Sequence, residues 1–224
     1  MSLASHARAK TGKAGMNTTA QTKKFKQTLE AEAPGYDVTL TTEAIAGLSQ
    51  YYELISLWNS RIHLVAPCSA EEFATRHVLE SLVLLKHLPI AARVAEVGAG
   101  GGLPIIPCLI VRSDLHAVLI ESSQKKTVFL REALTRSGLL ARASVINERF
   151  ENVAIPPVEF VTCRALERFE EMLPKLFSWV PAQTSLLLFG AKRLETRIES
   201  LGFTSTAELM PKSTGRFLLI VKKN

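Results

Sequence analysis

The stretch from Gly98 to Gly102 reads Gly-Ala-Gly-Gly-Gly, and such a run lets a ligand approach the backbone closely. It follows a short apolar run that contains one carboxylate, Glu96. Because glycine has no Cβ, the chain can turn tightly there and pack against a bound molecule. In α/β proteins, a turn between a strand and a helix lies at the sheet edge where ligands bind. The stretch therefore predicts a small-molecule site.

The spacing of the glycines separates the possible ligand classes. Gly98 and Gly100 fit the first two places of the dinucleotide loop G-x-G-x-x-G, but Leu103 stands where the third glycine is needed. The lysine of a phosphate-binding Walker loop is also missing. An acid-x-G-x-G-x-G pattern remains, with its fixed places at Glu96, Gly98, Gly100 and Gly102. This pattern is typical of the loop with which Rossmann-like methyltransferases bind S-adenosylmethionine, a ligand without a pyrophosphate.

Two further positions follow the next strands along the chain. Glu121 ends the apolar run of residues 117–120, and a carboxylate there can accept hydrogen bonds from both ribose hydroxyls of an adenosine. Its alternative role is to cap the helix that starts near Gln124. Phe150 and Glu151 come after the third strand, where an apolar side chain can contact adenine and a polar group can reach its N6 amine. Phe150 is equally compatible with a place in the core.

Short apolar runs alternate with amphipathic segments from residue 91 onward. This alternation predicts an α/β fold with a mostly parallel, seven-stranded sheet, helices on both faces and a closing hairpin. We assign residues 91–224 to this Rossmann-like domain. Residues 1–27 are polar and basic, which predicts a disordered arm or an added tail.

Two helical patterns precede the sheet. One begins at Thr41 or Thr42, either of which can cap it, and the other begins at Ser69, which forms a capping box with Glu72. Apolar residues recur at helical spacing in both segments. These patterns predict an N-terminal helical extension over residues 28–90.

The composition allows a large buried core and excludes several classes of protein. Of the 224 residues 47% are hydrophobic, yet no apolar run reaches the ~18 residues of a membrane span and no signal-peptide pattern is present. We therefore expect a cytoplasmic protein without a membrane partner. Cys68, Cys108 and Cys163 are too far apart for a zinc site or a disulfide framework, so we expect core cysteines and no metal. The net charge of +6 permits a nucleic-acid partner without requiring one.

The order of these motifs resembles one family, the bacterial 16S ribosomal RNA guanine-N7 methyltransferases, also called the glucose-inhibited division protein B family. The resemblance extends from Leu57 to the C-terminus. The motifs that carry it are "LWNSRIHLV", "RHVLESL", "EVGAGGGLPIIPCLIV", "LIESSQKKTVFLREA", "NERFE", "TCRA" and "GRFLLIVKK". A glycine loop followed by Leu-Pro-x-Ile-Pro is much more specific than a glycine loop alone.

The resemblance implies S-adenosylmethionine-dependent methylation of guanine N7 in the 530 loop of 16S ribosomal RNA, at position 527. It implies naked RNA or a small-subunit particle as the partner, and we expect a monomer. Together with the glycine pattern, it assigns the cofactor to Glu96, Gly98, Gly100, Gly102, Leu103, Glu121, Phe150, Glu151 and Arg164. The implied catalytic candidates are Arg164, His77 and Lys192, and the residues expected to face the RNA are Arg76, His77, Lys192 and Arg193.

Other interpretations of these side chains stay open. His77 can be a helix residue bonded to a neighbouring acid, and Arg164 can form a salt bridge with Glu96 or Glu151. The basic residues of the predicted helices, including Lys192, can simply be solvated. Members of the family usually have Asp where this chain has Glu80, Glu96 and Glu121.

The reaction that the resemblance implies depends more on the positioning of the two reactants than on acid–base catalysis. Guanine N7 carries a lone pair and no proton, so it can attack a methyl group in line without a general base. A methyltransferase for a small molecule or a protein, and a non-catalytic RNA-binding assembly factor on the same fold, are the alternative functions. The complete glycine loop and Glu121 favour an enzyme, and Leu103 argues against a nicotinamide oxidoreductase.

Overall fold

A computed structural model describes residues 19–164 and 168–222. Residues 1–18 of the expected arm lie outside the described residues, but residues 19–27 correct that expectation. They belong to a helix, α1, over residues 19–32. Phe25 is fully buried and stacks on Tyr52, with ring centroids 4.6 Å apart. Phe25 and Leu29, four residues apart, are enough to hold one face of this helix against the core. The other residues of the helix can therefore be polar, and the polar composition hid the helix from the sequence analysis.

The two predicted N-terminal helices are present with their predicted caps. Helix α2 spans Thr42–Ile62, and the Oγ1 of Thr41 accepts a hydrogen bond from the backbone N–H of Ala44 at 3.2 Å. Ser69 accepts from the N–H of Glu72 at 3.1 Å and starts the next helical segment. That segment, which we call α3, is formed by Ala70–Glu72, Phe73–Leu79, Glu80–Leu82 and Val83–His87.

Segment α3 is not a uniform α-helix. Its middle part, Phe73–Leu79, is a π-helix, and its last part, Val83–His87, is a 3₁₀-helix. A π stretch inside a helix is uncommon and frequently coincides with a functional site. Arg76 and His77 lie in this stretch.

The described residues form a seven-stranded sheet with the order β3-β2-β1-β4-β5-β7-β6. The strands are β1 Arg93–Val97, β2 His116–Ile120, β3 Ala143–Ile146, β4 Phe160–Arg164, β5 Ser185–Gly190, β6 Thr206–Leu209 and β7 Phe217–Lys222. The first five strands pair in parallel, while β7 is antiparallel to both β5 and β6. The α/β prediction and the closing hairpin are thus confirmed, and the sheet is mixed at one edge.

Helices cover both faces of the sheet. They are α4 Ile105–Val111, α5 Gln124–Arg136, α6 Phe169–Trp179 and α7 Lys192–Ser200. Helices α4 and α5 share one buried cluster with the N-terminal helices, and α6 and α7 share a second cluster on the opposite face. The N-terminal extension therefore packs into the same core as the sheet.

The cysteines agree with a packing role. Cys108 and Cys163 are fully buried, and Cys68 is partly buried against the first cluster. Among the described residues, no group of three or more His, Cys, Asp or Glu side chains could hold a metal ion. In the same part of the chain, none of the helices combines the length and the apolar character needed to cross a membrane.

Candidate active site

The glycine loop connects β1 to α4 in a backbone conformation that suits glycine. The N–H groups of Gly98 and Ala99 both donate to the carbonyl of Ile120, at 2.9 and 3.1 Å, which ties the start of the loop to the end of β2. Gly102 has a φ of +78°, and a Cβ there would lie 2.3 Å from the Cδ1 of Ile106. Neither the conformation nor the space at this position accommodates a side chain.

Glu121 holds the loop from the side of β2. Its Oε2 accepts a hydrogen bond from the N–H of Gly100 at 2.8 Å, and its Oε1 accepts one from the N–H of Ser123 at 2.7 Å. The residue is 6% exposed. Each carboxylate oxygen can accept a further hydrogen bond, so Glu121 can both fix the loop and receive ligand hydroxyls.

Glu96 lies beneath the loop and is almost completely buried. Its Oε2 accepts from the N–H of Ile105 at 3.3 Å, whereas its Oε1 has no hydrogen-bond partner among the described residues. Burial raises the pKa of this carboxyl from 4.5 to about 8, although the Ile105 N–H and the charge of Arg164 act in the opposite direction. In the ligand-free protein this carboxyl therefore keeps its proton to a higher pH than an ordinary glutamic acid does, and one of its oxygens has no hydrogen-bond partner among the described residues.

Helix α2 supports the site from behind, a role that the sequence analysis missed. The buried Tyr51 donates its hydroxyl hydrogen to the carbonyl of Gly101. The side chain of Asn59 accepts from the N–H groups of Leu64 and Val65, at 2.7 and 2.9 Å, and donates to the Val65 carbonyl. Tyr51 occupies an apolar position of the helical pattern, so its spacing alone carries no sign of this contact.

A cavity of about 910 Å³ opens in front of the loop. Its walls come from the loop, the segment after α2, the π part of α3, the end of β4, the start of α6, the β5–α7 turn and the final hairpin. The predicted residues among its lining are Arg76, His77, Gly98, Gly100, Leu103, Arg164 and Arg193.

Phe150 and Glu151 lie away from the described lining of this cavity. Phe150 is 5% exposed and packs edge-to-face on Trp179, with ring centroids 5.5 Å apart. Glu151 lies 3.6 Å from the Nζ of Lys175. The structure places Phe150 in the core, and a contact of either residue with adenine stays a prediction.

Arg164 is the best-anchored cation of the cavity. Its guanidinium donates to the carbonyl of Arg76 at 2.6 Å, to the Oγ of Ser81 at 3.3 Å and to Oε2 of Glu80 at 3.3 Å. It also lies 5.4 Å from the ring centroid of Phe189. The acid that pairs with Arg164 is thus Glu80, neither Glu96 nor Glu151 as considered from the sequence.

His77 is partly buried and lies close to several cations. Burial lowers the pKa of its imidazole from 6.5 to about 3, with further lowering by Arg164, Arg76 and Arg216. Its ring lies 5.2 Å from that of Phe73. His77 is therefore neutral at physiological pH and cannot act there as a cationic acid.

Lys192 and Arg193 start helix α7 and are largely exposed. Lys192 pairs with Glu195 and lies 5.9 Å from the ring of Phe217, while its side chain is 69% exposed. The Nε of Arg193 is 2.8 Å from Oε1 of Glu170, and its side chain is 81% exposed. Of the two, Arg193 lines the cavity.

Comparisons with known proteins agree with this architecture. Residues 44–217 match the family model described as GidB, rRNA small subunit methyltransferase G. A relative named ribosomal RNA small subunit methyltransferase G from Yersinia enterocolitica is 34% identical over 186 residues, which cover 78% of this chain and 87% of the relative. One of the same name from Chromobacterium violaceum is 36% identical over 136 residues, covering 60% of this chain and 64% of the relative, just under two thirds of its length.

Among solved structures, the S-adenosylmethionine-dependent methyltransferase SibL in its apo form superposes with a TM-score of 0.55 at 12% identity, over 80% of this chain and 75% of that one. This likeness and the strand order define the class, a Rossmann-like methyltransferase fold. Because the family model matches most of the chain, the protein belongs to the family of the rRNA small subunit methyltransferase G. The family resemblance found in the sequence is confirmed.

Proposed function

We propose that this protein transfers the methyl group of S-adenosylmethionine to N7 of a guanine in 16S ribosomal RNA. The observation that carries the proposal is the unpaired, buried Oε1 of Glu96 beneath a glycine loop that lines a large cavity. An unpaired buried oxygen costs about 1–3 kcal/mol, so it calls for a ligand that donates a hydrogen bond. The ammonium group of the methionine moiety is such a donor.

The remaining contacts of the loop fit the other parts of this cofactor. Glu121 keeps acceptor capacity for ribose hydroxyls after its bonds to Gly100 and Ser123. Leu103 and Ala99 provide apolar surface in the lining. When bound, S-adenosylmethionine supplies an electrophilic methyl group on a sulfonium. Tyr51, Glu121 and Glu96 fix the loop on which that group would be held.

The charge of the cavity supports an RNA substrate. Among the residues that the structure describes, its lining has six cationic and three acidic side chains. The cations are Arg76, Lys126, Arg164, Arg168, Arg193 and Arg216. Nucleic acids present phosphates, for which arginine is a well-matched partner. A methyltransferase for a small neutral molecule would have little use for this excess of positive charge.

Methylation at N7 suits the protonation states found here. The nucleophile brings its own lone pair, so no residue has to remove a proton before methyl transfer. The neutral imidazole of His77 can exchange a hydrogen bond with a base edge without adding charge. Arg164, held by Glu80 and the π part of α3, gives the cavity wall a fixed shape. These residues orient the reactants, which is the main requirement of the reaction.

The test is methyl transfer from labelled S-adenosylmethionine to three acceptors: small ribosomal subunits, naked 16S RNA from cells that lack the modification, and transfer RNA as a control. Label in 16S RNA, in either form, supports the proposal. Cofactor binding without label in any RNA would instead support a non-catalytic assembly factor, and label only in protein would contradict the RNA substrate.

A further inference from the structure

Glu80 joins two arginines of the cavity and is itself 1% exposed. Its Oε1 accepts a hydrogen bond from the Nε of Arg216 at 2.8 Å, and the Nη2 of the same residue lies 2.7 Å from this oxygen, so the two nitrogens form a fork around it. Its Oε2 accepts from Arg164 at 3.3 Å. A buried carboxylate is stable only when its charge is compensated, so this arrangement strongly constrains both guanidinium groups.

The two arginines differ in how much of them faces the cavity. The side chain of Arg164 is 13% exposed and is also bound to the Arg76 carbonyl and to Ser81. The side chain of Arg216 is 43% exposed and lines the cavity. Glu80 occupies one edge of the Arg216 guanidinium, formed by Nε and Nη2, so most of its five N–H donors are left for a ligand.

Two neighbouring arginines of the cavity lining, Arg168 and Arg193, are not bound to any buried acid among the described residues. Arg168 pairs with Glu171, and Arg193 pairs with Glu170, but the two arginine side chains are 71% and 81% exposed. Exposed ion pairs of this kind restrict long side chains only weakly. Arg216 differs from both because a buried acid fixes its orientation before any ligand arrives.

We propose that Arg216 binds an oxyanion at the mouth of the cavity and that Glu80 is the positioning residue that orients it. An orientated guanidinium matches the planar geometry of phosphate and carboxylate groups. The identity of the anion rests on the proposed function, which offers two sources: a phosphate of the RNA and the carboxylate of the methionine moiety.

The first experiment compares Arg216→Gln with Arg93→Gln in the full-length chain. Arg93 is a matched control because its Nε and Nη2 form the same fork with Oε1 of Glu159, its side chain is 53% exposed, and it lies at the start of β1, away from the cavity lining. S-adenosylmethionine binding is measured by calorimetry, and binding of a 16S RNA fragment by fluorescence anisotropy over a series of salt concentrations. Neither measurement requires methyl transfer.

Loss of a charge-assisted hydrogen bond should weaken binding of the true anion about tenfold or more. If the anion is a phosphate, Arg216→Gln weakens RNA binding and lowers its logarithmic salt slope by about one, while cofactor affinity stays at the parent value. If it is the carboxylate, cofactor affinity falls and the salt slope is unchanged. Affinities equal to those of Arg93→Gln for both ligands would overturn the proposal.

The second experiment tests the orienting role of Glu80. Glu80→Gln should weaken the same ligand as Arg216→Gln does, the double variant should be no weaker, and Glu80→Asp should recover part of the affinity because it keeps the charge. Parent-like affinity of a folded Glu80→Gln would show that Glu80 does not act through Arg216.

Arg216→Lys gives an independent answer should Glu80→Gln fail to fold. It keeps the charge but cannot form the fork, so parent-like affinity would contradict the orienting role and reduced affinity would support it. If the parent protein binds both ligands yet transfers no methyl group, the proposed function fails while these comparisons still decide the role of Arg216.

Discussion

Tyr51 of helix α2 donates its hydroxyl hydrogen to the carbonyl oxygen of Gly101, so the N-terminal extension touches the glycine loop directly. Both partners are buried. The same helix holds the segment of Leu64 and Val65 through Asn59. The extension is therefore part of the proposed cofactor site rather than a separate attachment.

Tyr51→Phe should destabilise the protein and weaken cofactor binding. The change keeps the ring but leaves the carbonyl of Gly101 buried without its donor, which costs about 1–3 kcal/mol of unfolding free energy. We expect this loss in denaturant unfolding and a rise of several-fold in the Kd for S-adenosylmethionine. Tyr52→Phe, which removes a hydroxyl from the neighbouring, partly exposed ring, is the control. Equal cofactor affinity for the two variants would argue against a loop-holding role of Tyr51.

Glu96 should make the ligand-free protein less stable as the pH rises. Its pKa is about 8 in the folded state and 4.5 in the reference state, so the folded protein binds this proton more tightly than the unfolded chain does. Its contribution to stability is complete below pH 4.5 and is lost between pH 4.5 and about 8. The loss is on the order of 5 kcal/mol, since one pKa unit corresponds to about 1.4 kcal/mol. Glu96→Gln should flatten that part of the stability curve, and an unchanged curve would contradict the assignment.

Cofactor binding should release a proton from Glu96. A positively charged ammonium beside the carboxyl favours its ionised form and so lowers its pKa. Near pH 7 we expect calorimetry in buffers of different ionisation enthalpy to show the release of a substantial fraction of one proton. Glu96→Gln should abolish the release, whereas equal release by both proteins would assign the proton to another group.

His77 should contribute no general acid or base to the reaction. Because burial lowers its pKa to about 3, its protonation does not change across the physiological range. We expect His77→Gln to reduce kcat by about tenfold at most, with a pH profile parallel to that of the parent. A loss of about a hundredfold or more, or the disappearance of an inflection near the ordinary pKa of histidine, would indicate acid–base catalysis.

Gly102→Ala should be more harmful than Gly138→Ala. Both glycines have positive φ, +78° and +66°, so each substitution carries about 1–2 kcal/mol of backbone strain. A Cβ at Gly102 also meets Ile106 at 2.3 Å, whereas one at Gly138 meets nothing within 4 Å. We expect an additional loss of about 1–3 kcal/mol and weaker cofactor binding only for Gly102→Ala. Equal thermal stability of the two variants would exclude the steric contribution.

The sheet could be predicted from the sequence because its signals are local. Apolar runs, amphipathic segments and the caps at Thr41 and Ser69 each depend on a few neighbouring residues. Helix α1 escaped prediction because Phe25 acquires its partner, Tyr52, only in the folded chain. The π part of α3 has no comparable sequence signal, since its apolar spacing is compatible with an ordinary helix.

Part of the candidate site could also be predicted, because the signals for that part are local in the sequence. The glycine loop has a contiguous pattern, and Glu121 follows a recognisable strand. Glu80 and Arg216 are 136 positions apart, and their contact depends on where α3 and the final hairpin meet. Family resemblance drew attention to both surrounding motifs, but only the fold brings these two side chains together.

The most direct test of the central claim is the identity of the methylated base. Small subunits and 16S RNA that lack the modification are incubated with the protein and labelled S-adenosylmethionine, and the RNA is digested to nucleosides for mass spectrometry. The account predicts label in N7-methylguanosine and its absence when cofactor binding is abolished by Gly102→Ala combined with Glu121→Gln. Label in a base other than guanine, or at another atom of guanine, would contradict it.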